Sequence, residues 1–158
     1  MNPMTARGLG LGVAVAGWTI ISHLANLPFQ LWPVLVGLAC FLAAGGGITG
    51  LQKSALGAVS GVAWMILYVA VSRAMGRNEI IDALVLGAAA FGMVLQTRLP
   101  LLTFTAGAMA GAGTTIGVLG MRAVTLDGGV RVALTLAIGA GLGWAAEWIT
   151  GMMKPSRA

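Results

Sequence analysis

The chain has 158 residues, of which 58% are hydrophobic and 8% are charged, and its formal net charge is +5. Because a soluble domain carries about 25% charged residues, this composition excludes a soluble globular protein and indicates one integral membrane domain, residues 1–158. The lysines and arginines are scattered, with no basic cluster or aromatic platform that would bind nucleic acid. We attribute the positive charge to the membrane boundaries, where basic residues are favoured.

Apolar segments follow one another along the chain, each close to the roughly 20 residues that a helix needs to cross the hydrocarbon core. They cover residues 8–25, 31–49, 54–73, 80–97, 99–120 and 131–150. Period-two alternation is absent from them, which predicts six helices rather than a barrel. No small-residue cleavage site follows the first segment, so we interpret it as a retained helix rather than a signal peptide.

The segments form two groups of three, which predicts an internal duplication with repeats at about 8–73 and 80–150. Leu27-Pro28 and Leu99-Pro100 each introduce a glycine-rich segment, and we expect these two segments to form the centre of the protein. The further matches between segments three and six are Gly61 with Gly141 and Trp64 with Trp144. Three crossings per repeat force the second repeat to be inverted, an arrangement typical of transporters and channels.

Six spans divide the basic residues almost evenly between the two sides of the membrane. One side carries Arg7, Lys53, Arg98, Lys154 and Arg157, and the other carries Arg73, Arg77, Arg122 and Arg131. This near balance leaves the orientation open, because the rule for topology counts the excess of lysine and arginine.

The glycine-rich runs at residues 31–47, 57–64 and 102–114 resemble those of the domain of unknown function 1097 family. The resemblance covers about residues 10 to 150. It implies a small, multi-helix protein of the bacterial inner membrane, and it assigns no substrate or catalytic residue. The helix that follows a Leu-Pro pair in each half is also loosely similar to the inverted repeats of urea transporters.

Pairs of glycines four residues apart are typical of close helix contacts in membranes. They are Gly8/Gly12, Gly57/Gly61, Gly107/Gly111, Gly113/Gly117 and Gly139/Gly143. Their number favours roles in folding and in packing between copies of the chain. The two pairs in segment five predict that this helix contacts more than one neighbour.

Few residues could carry enzyme chemistry, and we expect no enzymatic activity, metal or cofactor. The single histidine, His23, cannot form a histidine-based metal site alone, and the single cysteine, Cys40, excludes an intramolecular disulfide. Glu147, between two tryptophans, is either an interfacial carboxylate or a functional carboxylate at membrane depth. Asp82 is interpreted as a favourable acid in the first turn of a helix, with a coupling role as the alternative.

Polar, aromatic and glycine residues within the apolar segments are candidates for lining a path for a solute through the membrane. They are Trp32, Cys40, Phe41, Ser60, Phe104, Gly111, Gly113, Thr114 and Thr115. Hydroxyl groups and backbone carbonyls can replace part of the hydration of a small polar solute. The alternative for the threonines is a hydrogen bond to the carbonyl four residues earlier, and for the phenylalanines it is simple packing.

The sequence therefore predicts a passive channel or facilitator for a small neutral solute, such as urea or another amide, ammonia or water. A membrane scaffold or accessory subunit and a proton-coupled secondary transporter remain as alternatives. We expect a homo-oligomer, with a trimer as the working hypothesis, in contact with lipid and solute. Bulk at Gly111 or Gly113 is predicted to block flux without preventing insertion.

Overall fold

A computed structural model describes residues 2–27 and 30–152, which form six α-helices and their connections. The helices are α1 (Pro3–Leu24), α2 (Leu31–Ala43), α3 (Gly47–Ala74), α4 (Glu79–Leu95), α5 (Thr105–Leu119) and α6 (Leu126–Met152). Short 3-10 turns at Gln96–Arg98 and Pro100–Leu102 join α4 to α5. Pro28 of the first Leu-Pro pair, Lys154 and Arg157 lie outside the described residues.

Helices long and apolar enough to cross a membrane occur four times in the described chain. They are Met4–Leu24, Gly47–Ala74, Glu79–Arg98 and Leu126–Met152. The other two helices, α2 and α5, have 13 and 15 residues. At 1.5 Å per residue they extend about 20 and about 22 Å, less than the hydrocarbon thickness of about 30 Å. The fold is thus all-α and multi-pass, with two short helices among long ones.

Segments two and five are shorter as helices than the apolar pattern predicted. The second was expected to reach residue 49, but α2 ends at Ala43 because Gly45 and Gly46 have φ of +94° and +73°. Glycine adopts this left-handed backbone without steric cost, so the chain reverses there and α3 begins. The fifth was expected from residue 99, but α5 starts only at Thr105, after the 3-10 turns.

The centre of the molecule is formed by α3 and α6, not by the segments that follow the Leu-Pro pairs. Ala58 and Val62 of α3 pack with Val132 and Leu136 of α6 in a buried cluster. The short helices flank this pair, because α2 packs on α6 and α5 packs on α3. The two longest helices occupy the centre because both have small residues facing each other and facing a short helix.

Each half of the chain makes the same set of helix contacts with the other half. The contact of α2 with α6 has its counterpart in α5 with α3, and α1 with α6 has its counterpart in α4 with α3. Exchanging α1, α2 and α3 with α4, α5 and α6 therefore leaves the pattern of contacts between the two halves unchanged.

The same exchange holds for individual glycines at these contacts, where an added Cβ would overlap a backbone carbonyl of the neighbouring helix. The pairs are Gly37 with Leu136, Gly111 with Ala58, Gly139 with Val34, and Gly61 with Ala108. The difference in residue number between matching positions of α2 and α5 is the same in these pairs. The difference between matching positions of α3 and α6 is likewise constant. The counterpart of Gly61 is therefore Gly139, whereas the expected partner, Gly141, has no atom within 4 Å of an added Cβ.

Glycine pairs in three helices are confirmed as packing positions. Gly57/Gly61 of α3 face Gly107/Gly111 of α5, and Gly139/Gly143 of α6 face α2. In α1 and the second half of α5 the outcome differs, because an added Cβ at Gly8, Gly12 or Gly113 would have open space around it.

Candidate functional site

Five of the candidate path residues are buried in the helix packing. They are Cys40, Phe41, Gly111, Thr114 and Thr115. The Phe41 ring lies against Gly143 of α6, and the Thr115 hydroxyl donates to the Gly111 carbonyl at 2.8 Å. That hydrogen bond spans four residues of one helix, which is the local alternative considered for the threonines.

Trp32, Phe104 and Gly113 lie nearer the surface. The Trp32 indole donates to the Gln30 side chain at 2.9 Å, and its ring lies against Gly117. The half-buried Phe104 ring contacts Gly107, and Gly113 faces away from the rest of the chain. The structure thus distributes these candidates over separate contacts.

Ser60 belongs to a polar group whose central member was not among the candidates. The Gln96 side chain accepts a hydrogen bond from the Trp64 indole and donates one to the Ser60 hydroxyl, each at 2.9 Å. The Ser60 hydroxyl in turn donates to the Gly57 carbonyl at 2.7 Å. Gln96 therefore fixes the end of α4 beside the middle of α3.

Asp82 lies buried in the first turn of α4, next to the last turns of α3. It accepts a hydrogen bond from the Ser72 hydroxyl, and the Arg122 guanidinium lies 3.8 Å from its other oxygen. Arg77 donates to the Arg122 carbonyl at 3.2 Å. These contacts join the α3–α4 turn to the α5–α6 connection at one end of the molecule.

Glu147 lies at the opposite end, beside the start of α3. Its carboxylate accepts a hydrogen bond from the Gly47 backbone N–H at 2.8 Å, and its other oxygen lies against Gly46. A carboxylate at a helix N-terminus is stabilised by the orphan N–H groups and the helix dipole. The interfacial interpretation of Glu147 thus acquires a specific structural role. His23 is exposed in the last turn of α1.

A cavity of about 450 Å³ opens beside Glu147. Its lining includes Arg7, Gly46, Gly143, Ala146, Glu147 and Thr150. Its volume falls in the range of about 300–1,000 Å³ that small-molecule sites occupy. Trp144 and Trp148 are exposed on the adjoining turns of α6, and tryptophan is enriched at membrane–water boundaries.

None of the nine path candidates lines this cavity. Arg7 and Glu147 were noted in the sequence only for topology and membrane depth. The signal that could have found the site is the run Gly45–Gly47, because three consecutive glycines leave space and exposed backbone beside a helix start.

Comparison with known proteins gives a family and one curated relative. The model of the family "Protein of unknown function (DUF1097)" matches residues 8–151. The chain is 30% identical over 118 residues to the inner membrane protein YcdZ of Escherichia coli (strain K12), covering 73% of this chain and 70% of the relative. No solved structure matches the chain.

The name of the relative and the long apolar helices agree with a multi-pass protein of an inner membrane. The comparisons do not extend to urea transporters, so that resemblance stays a prediction. The family match covers nearly the whole chain and includes at least part of each of the six helices, together with Glu147 of the cavity lining. The chain therefore belongs to the DUF1097 family of membrane proteins.

Proposed function

We propose that the protein is a passive facilitator for a small neutral solute in the bacterial inner membrane, built from two inverted repeats. The observation that carries the proposal is the exchange of contacts between α1–α3 and α4–α6. Repeats of three helices enter the membrane from opposite faces, and transport proteins with this design bind their substrates between the repeats. In this arrangement all six helices cross or enter the bilayer, with α2 and α5 as the short members.

The distribution of charge supports a neutral solute. The described carboxylates lie near helix ends: Glu79 and Asp82 in the first turn of α4, Asp127 in the first turn of α6, and Glu147 near the end of α6. Along the helices between these ends, the polar groups include the hydroxyls of Ser60, Thr114, Thr115 and Thr135 and backbone carbonyls. Such groups exchange hydrogen bonds with urea, other amides, ammonia or water without a charge to balance.

A scaffold or accessory subunit is the second candidate, and the packing of the centre favours it. Glycines of α3, α5 and α6 lie directly on backbone carbonyls, so the middle of the molecule is filled by close helix contacts. In that function the open glycine face of α1, Gly8 and Gly12, would pack on a partner or on a second copy. A homo-oligomer, with a trimer as the working hypothesis, is compatible with both functions.

A proton-coupled transporter is the third candidate, supported by the burial of Asp82. Its contact with Ser72 and Arg122 lies at the end of α3. For coupling, this carboxylate must change its protonation during transport, so flux must depend on a proton gradient.

Stopped-flow light scattering on proteoliposomes tests these functions. Urea, formamide, glycerol and water are compared with vesicles that hold an unrelated membrane protein at the same protein-to-lipid ratio. Faster shrinking or swelling for one solute supports a facilitator, and dependence of that rate on an imposed pH gradient supports coupling. Unchanged rates for every solute contradict the facilitator and favour the accessory function.

A further inference from the structure

The two halves differ most where α3 and α6 end, and their contacts allow the residues to be matched. At the end that holds Glu147, the Thr150 hydroxyl of α6 lies 3.4 Å from the Ala6 carbonyl of α1. At the opposite end, the Ser72 hydroxyl of α3 donates a hydrogen bond to Asp82 of α4. The difference in residue number between Ser72 and Thr150 equals that between Gly61 and Gly139. The same difference pairs Tyr68 with Ala146, Val69 with Glu147, and Gly46 with Val124.

The end that holds Asp82 has larger side chains at these positions than the end that holds Glu147. Tyr68, Val69 and Val124 are 2 to 3% exposed and belong to one buried cluster. Their counterparts Ala146 and Gly46 are among the residues that line the cavity of about 450 Å³, although Ala146 is itself only 1% exposed. The cavity thus lies at the end where the matched residues are small.

A neighbouring pair shows that this difference is not a general loss of volume. Phe41 of α2 lies on Gly143 of α6 at the end that holds Glu147, whereas Thr115 of α5 and Met65 of α3 occupy the matching positions at the other end. There a large residue on one helix is exchanged for a large residue on the other.

The lining of the cavity presents both hydrogen-bond donors and acceptors. Arg7 offers guanidinium N–H groups, while Glu147 offers the carboxylate oxygen that does not bind Gly47. Thr150 donates its hydroxyl hydrogen to the Ala146 carbonyl at 2.7 Å, so its oxygen lone pairs face other donors. One cationic and one anionic side chain give the lining no net charge, which disfavours a ligand that carries one.

We propose that this cavity binds a small neutral amide, whose carbonyl accepts from Arg7 and whose N–H groups donate to Glu147. The proposal rests on the proposed function and names its solute class and its entry site. Within the proposal, the cavity lies at the membrane–water boundary and is the vestibule on one side of the protein.

Saturation-transfer NMR on the full chain in nanodiscs tests the proposal with acetamide and urea as probes, and with glycine and inorganic phosphate for comparison. Ala146→Tyr installs the side chain that Tyr68 has at the matching position of α3, and it is designed to occupy the cavity. Ala106→Tyr makes the same change on the exposed face of α5 and is the matched control. Arg7→Leu removes the donors without filling the space and serves if Ala146→Tyr fails to fold.

We expect saturation transfer to both amides in the native chain and in Ala106→Tyr. Ala146→Tyr should abolish it, and Arg7→Leu should weaken binding about tenfold or more, as loss of a hydrogen bond to a charged group does. Transfer to glycine or phosphate instead of the amides overturns the proposal, as does amide transfer unchanged in Ala146→Tyr or an absence of transfer to every probe.

Measurements of amide flux distinguish the proposal that the cavity binds an amide from the proposed function as a facilitator. Amide flux that is equal in Ala146→Tyr and the native chain would retain the facilitator and remove the cavity from its path. Amide binding that is sensitive to both cavity variants, without flux in the native chain, would retain the cavity and contradict the facilitator.

Discussion

The α-carbon of Gly111 in α5 lies against the carbonyl of Ala58 in α3, and no side-chain atom fits between them. A carbonyl of a long helix cannot move aside as a flexible side chain can, so Gly111→Ala must separate the two backbones. We expect a loss of about 1–3 kcal/mol in the free energy of unfolding, the usual cost of overpacking. Thermal unfolding in detergent measures it.

Gly113→Ala, two residues away on the same helix, is the matched control. An added Cβ there meets no atom within 4 Å, and alanine is favoured over glycine in a helix by about 1 kcal/mol. This variant should be as stable as the native chain or more so. Equal destabilisation by the two changes would contradict the packing assigned to Gly111.

This contact also changes how bulk in α5 can be used to test flux. Gly111→Leu should disturb folding, so loss of flux in that variant would not identify a path. Gly113→Leu leaves the α3 contact intact. Its flux, measured in proteoliposomes at matched protein content, is the informative value, and we expect it to equal that of the native chain because Gly113 faces outward.

Gln96→Leu should weaken the attachment of the α4–α5 connection to α3. The change removes hydrogen bonds to Trp64 and Ser60 and leaves the Trp64 indole without this acceptor. We expect a loss of about 1–3 kcal/mol and faster amide hydrogen exchange over residues 96–104. Gln52→Leu, at an exposed position of α3, is the control. Native exchange rates in the Gln96 variant would show that the network does not hold the connection.

The Ser72–Asp82 contact should contribute to stability more than the ion pair with Arg122. Arg122 is 67% exposed at its side chain and lies 3.8 Å from Asp82, and an exposed pair of this kind is worth at most about 1 kcal/mol. Asp82→Ala, Ser72→Ala and the double variant form a cycle whose coupling is read from unfolding. We expect coupling above 0.5 kcal/mol, the usual scale for residues in contact. Additive effects, or an equal loss in Asp127→Ala, would argue against the contact.

Glu147→Ala should destabilise the start of α3, because Gly47 loses the acceptor for its N–H. Removing a cap costs about 1 kcal/mol. Glu147→Gln keeps an oxygen acceptor and loses only the charge, so it should unfold at a temperature between those of the native chain and Glu147→Ala. Hydrogen exchange at residues 47–50 gives the local readout, and an unchanged rate in Glu147→Ala would refute the capping role.

Much of the fold follows from composition and hydropathy, because both respond to the average environment of a segment. The helical membrane class is predicted in this way, whereas the close helix contact at Gly57/Gly61 follows from the spacing of the glycines and the family from the resemblance of the glycine-rich runs. The ends of α2 and α5 are not, because Gly45 and Gly46 are as apolar as their neighbours and only their backbone angles end the helix. Hydropathy is insensitive to those angles.

The cavity could not be predicted for a different reason. Its lining includes Ala146, which stands where the other half has Tyr68, and that match appears only when the contacts set the register between α3 and α6. In the sequence, Gly61 aligns as well with Gly141 as with Gly139. Gln96 was missed because a polar residue at the end of an apolar helix is ordinary.

The contacts of α6 have a consequence for biogenesis. Both α1 and α2 pack chiefly on α6, the helix that the ribosome makes last. At 5–20 residues per second, the glycine face of α2 waits on the order of ten seconds in lipid before its partner is inserted. The first half of the chain therefore cannot complete its packing until α6 is made, and a chain that stops before α6 leaves α1 and α2 without their main partner while α5 can still pack on α3.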